Sequence, residues 1–79
     1  MSHAQVLKEF RTALEMAPRN SYVAELHAQA LKHAGALEGL TNREVSEGLG
    51  IGSSFGTEIA KMRKLAPRLI AAGLDTNRI

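Results

Sequence analysis

The chain contains no cysteine and no tryptophan, and aromatic residues make up only 4% of its 79 residues. The absence of cysteine excludes disulfide bonds and thiolate metal sites. No apolar run approaches the roughly 20 residues that a membrane-spanning helix needs, so we expect no membrane partner. The first ten residues lack a basic segment followed by an apolar one, and the expected location is therefore cytoplasmic.

Strand patterns are also missing from the sequence. No segment alternates apolar and polar residues over several positions, and valine, isoleucine and aromatic residues are scarce. Alanine and leucine are abundant, which favours helices. A chain of this length forms one domain at most. We therefore predict that residues 1–79 form a single all-α domain, a compact bundle of four to five short helices.

Apolar stripes at helical spacing predict the first two helices. The first runs from Ser2 or His3 to about Met16 and ends before Pro18, because the residue before a proline avoids the helical region. The second begins after a cap at Asn20 or Ser21 and stops between residues 35 and 39, where two glycines weaken it. Core positions expected on these two helices are Val6, Phe10, Ala13, Leu14, Ala17, Val23, Leu26, Ala30, Ala34 and Leu37.

The segment 41–65 predicts two helices joined by a tight turn. Thr41 followed by Glu44 matches the Thr-x-x-Glu pattern of a capping box. Gly50 is expected to end the helix that this box opens, and Ile51 to enter the core. Ser53 or Ser54 is expected to cap the next helix.

The fourth helix should have one apolar and one basic face. If Phe55 marks zero degrees on a helical wheel, the apolar side chains cluster within about 40° of it and the polar, basic ones lie opposite. The apolar set is Phe55, Ile59, Met62, Ala66 and Leu69, and the opposite set is Thr57, Lys61, Lys64 and Arg68. Pro67 should kink or break this helix near residue 65 or 66. A last short helix over 67–72 would then stop at Gly73, followed by a loose tail at 74–79.

Positive charge is concentrated in the second half of the chain. Residues 1–40 carry four basic and four acidic residues, whereas residues 41–79 carry six basic and four acidic ones. Between residues 53 and 70, four basic side chains accompany a single acid, Glu58. This asymmetry is typical of an element that faces a polyanion. The alternative is a solvated helix with a cationic C-terminal end, which the helix dipole favours.

The turn resembles that of small bacterial and phage helix-turn-helix DNA-binding domains, over about residues 40–66. In that pattern an apolar and a small residue precede a Leu-Gly pair and an apolar plug. The residues in these positions are Val45, Ser46, Leu49, Gly50 and Ile51. Two positions depart from the pattern. Ser46 stands where alanine or glycine is usual, and Phe55 follows Ile51 by four residues where many members have five.

The resemblance implies a sequence-specific DNA-binding protein, a small transcriptional regulator, whose second motif helix (about residues 54–65) enters the major groove of double-stranded DNA. Residues at the start of that helix would reach base edges or phosphates, and its lysines would contact phosphates. The expected DNA-contacting residues are Thr41, Arg43, Ser53, Ser54, Thr57, Lys61, Arg63, Lys64 and Arg68. Such modules usually pair to read two half-sites, and residues 1–37 are rich in apolar side chains. We therefore expect a homodimer with the first or second helix at the contact.

A different class of function fits the same pattern. A helical protein-interaction module, such as an adaptor subunit or a phage- or plasmid-encoded inhibitor, would dock on a larger protein partner without binding DNA. An enzyme is not expected, because Glu25 and Glu58 have no visible partner for acid–base chemistry. The three histidines lack the spacing of a helical metal pair, and His27 and His33 are expected at the surface or its boundary. We expect no metal and no cofactor.

Overall fold

The computed structural model describes residues 2–52 and 54–79. This part of the chain folds into four α-helices without a strand, which confirms the all-α prediction. The helices are α1 (His3–Met16), α2 (Tyr22–Lys32), α3 (Asn42–Leu49) and α4 (Ser54–Ala71), and two 3-10 turns cover Arg19–Ser21 and Thr76–Arg78.

The limits of α1 follow from its flanking residues. The Ser2 side chain accepts a hydrogen bond from the Gln5 N–H at 3.2 Å, so the helix begins at a capped end. At the other end Ala17 is extended, as expected before Pro18. Val6, Phe10 and Leu14 form the buried stripe that the spacing predicts.

The second helix begins and ends differently from its prediction. It follows a 3-10 turn, and Ser21 makes no side-chain cap. It ends at Lys32, earlier than expected, and the chain then continues through turns to Leu40. Val23 is not a core residue, because Tyr22 takes the inner position in the first turn and Val23 is 47% exposed.

The third helix has the predicted capping box. Thr41 accepts a hydrogen bond from the Glu44 N–H at 3.0 Å, and Glu44 accepts one from the Thr41 N–H at 2.9 Å. Gly50 ends the helix in the left-handed conformation, with φ of 70°. This backbone conformation is one that only glycine adopts without a steric penalty, so the residue type explains the turn.

The fourth helix runs without a break from Ser54 to Ala71, so the predicted break at Pro67 is wrong, and the alternative of a kink there stays a prediction. A proline removes one backbone hydrogen-bond donor, but the packing of its helix against neighbouring helices can outweigh the energy of the lost hydrogen bond. α4 lies against both α2 and α3, and Ala66, next to the proline, is fully buried. The predicted separate helix over 67–72 is the last part of α4, which ends before Gly73 at φ of 113°.

The C-terminal residues also differ from the loose tail that the sequence predicts. Asp75 accepts a hydrogen bond from the Asn77 N–H at 3.0 Å and so caps the 3-10 turn Thr76–Arg78. That turn lies against α2.

The core lies where the four helices meet. Its buried members are Val6, Phe10, Leu14, Leu26, Ala30, Leu37, Val45, Leu49 and Ile59. Ile51 and Phe55 were expected among them, but both are only partly buried and pack against the core from outside. Phe55 stands in the first turn of α4, where its ring meets Tyr22 edge-on at 5.7 Å between centroids.

His33 is buried, contrary to the expected surface or boundary position. It is 7% exposed, and its ring lies 5.9 Å from that of Phe10. Its Nε2 donates to Gln29 Oε1 at 3.2 Å, and Gln29 in turn donates to Glu25 at 3.0 Å. Burial is the main cause of a lowered pKa at His33, and the nearby positive charge of Lys32 is the second. The hydrogen bond to Gln29 and the contact with Phe10 hold the ring inside the bundle.

Candidate nucleic-acid interface

Helices α3 and α4 approach each other closely at Ser46 and Gly56. A Cβ atom placed on Gly56 would lie 3.2 Å from Ser46 Oγ, which is tighter than ordinary van der Waals contact. The small residues at these two positions therefore allow the close crossing. Ser46 is 5% exposed, and its hydroxyl has no hydrogen-bond partner in the part of the chain that the structure describes. The serine thus fits the small position of the motif but brings a buried polar atom with it.

The outer face of α4 presents the predicted polar and basic set to solvent. Thr57, Lys61, Lys64 and Arg68 are all exposed, and Ser54 is exposed at the start of the helix. Ile59 and Ala66, on the opposite side, are fully buried. The helix is therefore held by one face while the other remains accessible.

Beside this crossing, residues of α3 and α4 line a groove of about 680 Å³. Its lining residues are Arg43, Ser46, Glu47, Ile51, Gly56, Thr57 and Ala60. Arg43 and Thr57, which were predicted separately as DNA contacts, stand on opposite sides of this one groove. The Arg43 side chain is 87% exposed and its Nε donates to Glu47 at 2.9 Å. An exposed ion pair of this kind is weak, so Arg43 can exchange Glu47 for another anion.

Thr41 lies at the start of α3, where its hydroxyl accepts the hydrogen bond from Glu44. The hydrogen bond from the Thr41 N–H is the main reason that the pKa of Glu44 lies below its usual value, and the hydrogen bond with the Thr41 side chain lowers it further. Thr41 is exposed and serves the helix cap. Ser53, also predicted as a contact, lies outside the described residues.

Arg63 occupies a different environment from the other predicted contacts. Its guanidinium group is partly buried and donates to Asn42 Oδ1 at 2.9 Å and to the Leu37 carbonyl at 3.2 Å. Both bonds are internal, so the side chain is directed at α3 and the loop before it. The remaining basic residues of α4 are directed outward.

Glu58 has a partner that the sequence pattern did not indicate. Its carboxylate accepts a hydrogen bond from His27 Nε2 on α2 at 2.8 Å and lies 3.4 Å from Lys61 Nζ. The hydrogen bond from His27 is the larger cause of a lowered pKa at Glu58, and the positive charge of Lys61 is the second. The two partners of this pair are 31 positions apart, so no local spacing could reveal them. The acid is directed toward α2, which leaves the outer face of α4 basic.

The described residues contain neither a cluster of metal ligands nor a helix that could span a membrane. No group of three or more histidine, aspartate or glutamate side chains is close enough to hold a metal ion within residues 2–52 and 54–79. Among the helices that the structure describes, none is long and apolar enough to cross a bilayer.

A capped short helix, a left-handed glycine turn and a second helix with a free basic face define a helix-turn-helix protein. The family model of the HTH-like domain matches residues 2–72. The chain belongs to this family, which confirms the resemblance and indicates a DNA-binding helical protein. The match extends beyond the motif to α1 and α2, so the whole bundle is the family's unit. Neither a curated protein nor a solved structure matches the chain.

Proposed function

We propose that the protein is a sequence-specific DNA-binding protein, a small transcriptional regulator, and that residues 54–65 of α4 enter the major groove of duplex DNA. The observation that carries the proposal is the outer face of α4, where Thr57, Lys61 and Lys64 are exposed opposite the buried Ile59. A helix docked by one face can enter a groove with the other without unfolding.

The exposed residues divide into two roles. Ser54 and Thr57, near the start of α4, are placed to reach base edges, whereas Lys64 and Arg68 lie further along and would contact phosphates. Lys61 joins the phosphate set when it exchanges the weak contact with Glu58 for DNA. On the other side of the groove, the exposed Arg43 would contact the backbone of the same duplex, and so would the exposed Thr41 that caps α3. Ser53 remains a predicted contact.

A salt titration of duplex binding tests the proposal. The variant Lys61→Ala/Lys64→Ala should keep the fold and lose affinity, and its salt slope should fall by about 0.9 for each phosphate contact removed. Lys8→Ala/Lys32→Ala is the matched control, because it removes the same charge from exposed positions on α1 and α2, helices outside the motif. The control should bind nearly as tightly as the wild type. Equal affinity and slope in both double variants would remove α4 as the reading helix.

The second candidate is the protein-interaction module. Met16 is 80% exposed and Val23 is 47% exposed, and both flank the connection between α1 and α2. Such side chains would suit an adaptor or inhibitor that docks on a larger protein. This candidate predicts no salt-dependent binding to arbitrary duplex DNA, so the same titration distinguishes the two.

A further inference from the structure

Arg63 links three segments of the chain through one side chain. The residue lies on α4, its first acceptor Asn42 is the opening residue of α3, and its second acceptor is the Leu37 carbonyl in the loop between α2 and α3. A guanidinium group has several donors in a fixed plane, so it can bridge two acceptors at once, which an ammonium group does less well. We call these two bonds the Arg63 clamp.

The clamp is located where the ladder of backbone hydrogen bonds in α4 is interrupted. Residue 67 is a proline inside the helix and has no N–H, so the Arg63 carbonyl four residues earlier lacks its helical donor. A helix bends most readily where this ladder of hydrogen bonds is interrupted. The Arg63 side chain attaches α4 to α3 and the preceding loop at this level.

Each of the two clamp side chains is next in sequence to a proposed phosphate contact. Arg43 follows Asn42 directly on α3, and Lys64 follows Arg63 directly on α4. Because a rigid duplex presents its phosphates at set distances, the two helices must keep a set relation for both contacts to form. A small change of helix angle at Arg63 would move one contact away from the backbone.

We propose that Arg63 is a positioning residue, which holds α3 and α4 in the relation that duplex binding needs and makes no contact with DNA itself. This inference rests on the proposed function. It assigns Arg63 a role different from that of its neighbour Lys64, although both carry one positive charge on the same helix.

The test compares Arg63→Lys, Asn42→Ala and their double variant with the wild type in duplex titrations at two salt concentrations. Circular dichroism first establishes a temperature at which each variant is folded. Arg63→Lys keeps the charge but not the planar fork, and Asn42→Ala changes no charge. Each should weaken binding about tenfold with an unchanged salt slope, and the double variant should be no weaker than either one. Lys64→Met is the control, whose slope should fall by about 0.9 while its melting temperature stays constant.

Other results overturn the inference. If Arg63→Lys binds as the wild type does and Arg63→Met lowers the slope by about 0.9, the side chain is a phosphate contact. If all folded variants bind equally, the clamp only stabilises the bundle. Additive losses in the double variant would show that Asn42 and Arg63 act separately. If the wild type itself shows no salt-dependent duplex binding, the proposed function fails first, and the inference fails with it.

Discussion

At the scale of single residues, Ser46 is the position where packing and polarity conflict. Its side chain must be small to admit α4 at Gly56, yet its hydroxyl is buried without a partner in the described chain. A buried polar group in this condition costs about 1–3 kcal/mol. The motif usually places alanine or glycine here, and both would avoid that cost.

Ser46→Ala is therefore expected to raise the free energy of unfolding by about 1–3 kcal/mol. Gly56→Ala should gain little in the wild type, because its new methyl group would meet Ser46 Oγ at 3.2 Å. In the Ser46→Ala background the same change should add up to about 1 kcal/mol through helix propensity. Thermal melts of the two single variants and the double variant measure this coupling. A lower melting temperature for Ser46→Ala would mean that the hydroxyl has a stabilising partner.

His33 makes stability depend on pH. Burial lowers its pKa from the ordinary value of 6.5, so below that value the unfolded chain binds a proton that the folded chain does not. Stability should thus be greatest above the unfolded pKa, fall as the pH drops below it, and level off below the folded pKa. Glu44 and Glu58 have lowered pKa values too, and their contribution is lost only at more acidic pH, below 4.5.

The expected outcome is a lower melting temperature at about pH 5.5 than at about pH 7.5. In His33→Gln, which keeps a donor for Gln29 but does not titrate, most of this difference should disappear. Calorimetry of both proteins at the two pH values provides the measurement. An equal pH dependence in the variant would assign the effect to other groups.

At the scale of elements, the turn between α3 and α4 depends on one backbone conformation. Gly50 has φ of 70°, and the N–H groups of Gly50 and Ile51 donate to the Glu47 and Ser46 carbonyls at 3.1 and 3.2 Å. These bonds satisfy carbonyls at the end of α3 and direct the chain into α4. A side chain at this position would strain the conformation that relates the two motif helices.

Gly50→Ala should destabilise the protein by about 1–2 kcal/mol, the usual cost of a left-handed L-residue. Gly35→Ala is the matched control, since a methyl group there would also meet nothing within 4 Å, and the φ of Gly35 is not positive. Denaturant unfolding should therefore separate the two variants clearly. Similar stabilities would contradict a special role for the Gly50 conformation.

At the scale of the whole molecule, large exposed apolar side chains occur in at least two places among the described residues. Met16 and Val23 flank the α1–α2 connection, and Leu65 and Ile70 lie on α4. We expect the homodimer to form through the first place, because residues there belong to helices other than the one proposed to read DNA. A pair of motifs arranged in this way would read two half-sites.

Sedimentation of the wild type should show a dimer at high micromolar concentration. Met16→Glu/Val23→Glu should give a folded monomer, because charged groups at an apolar contact are costly to bury. Ile70→Glu should leave the dimer intact and serves as the control. A monomeric wild type, or a dimer disrupted by Ile70→Glu alone, would refute this arrangement.

The sequence by itself determined the features that depend on residues close together along the chain. The Thr41–Glu44 box, the Gly50 turn and the stop before Pro18 each need only a few consecutive residues, and helical spacing was enough to separate the two faces of α4. Such features form through local dihedral preferences and short-range hydrogen bonds, so their residue pattern is readable before the fold is known.

Only the tertiary structure decided where the long polar side chains and the buried imidazole lie. Arg63 meets a partner 21 positions away, and Glu58 meets one 31 positions away, so neither contact leaves a periodic trace in the sequence. α4 continues through Pro67 while packed against other helices, and His33 is buried against Phe10 of α1. The physical reason is common to all of these: the energy of each contact depends on which distant segments the fold brings together.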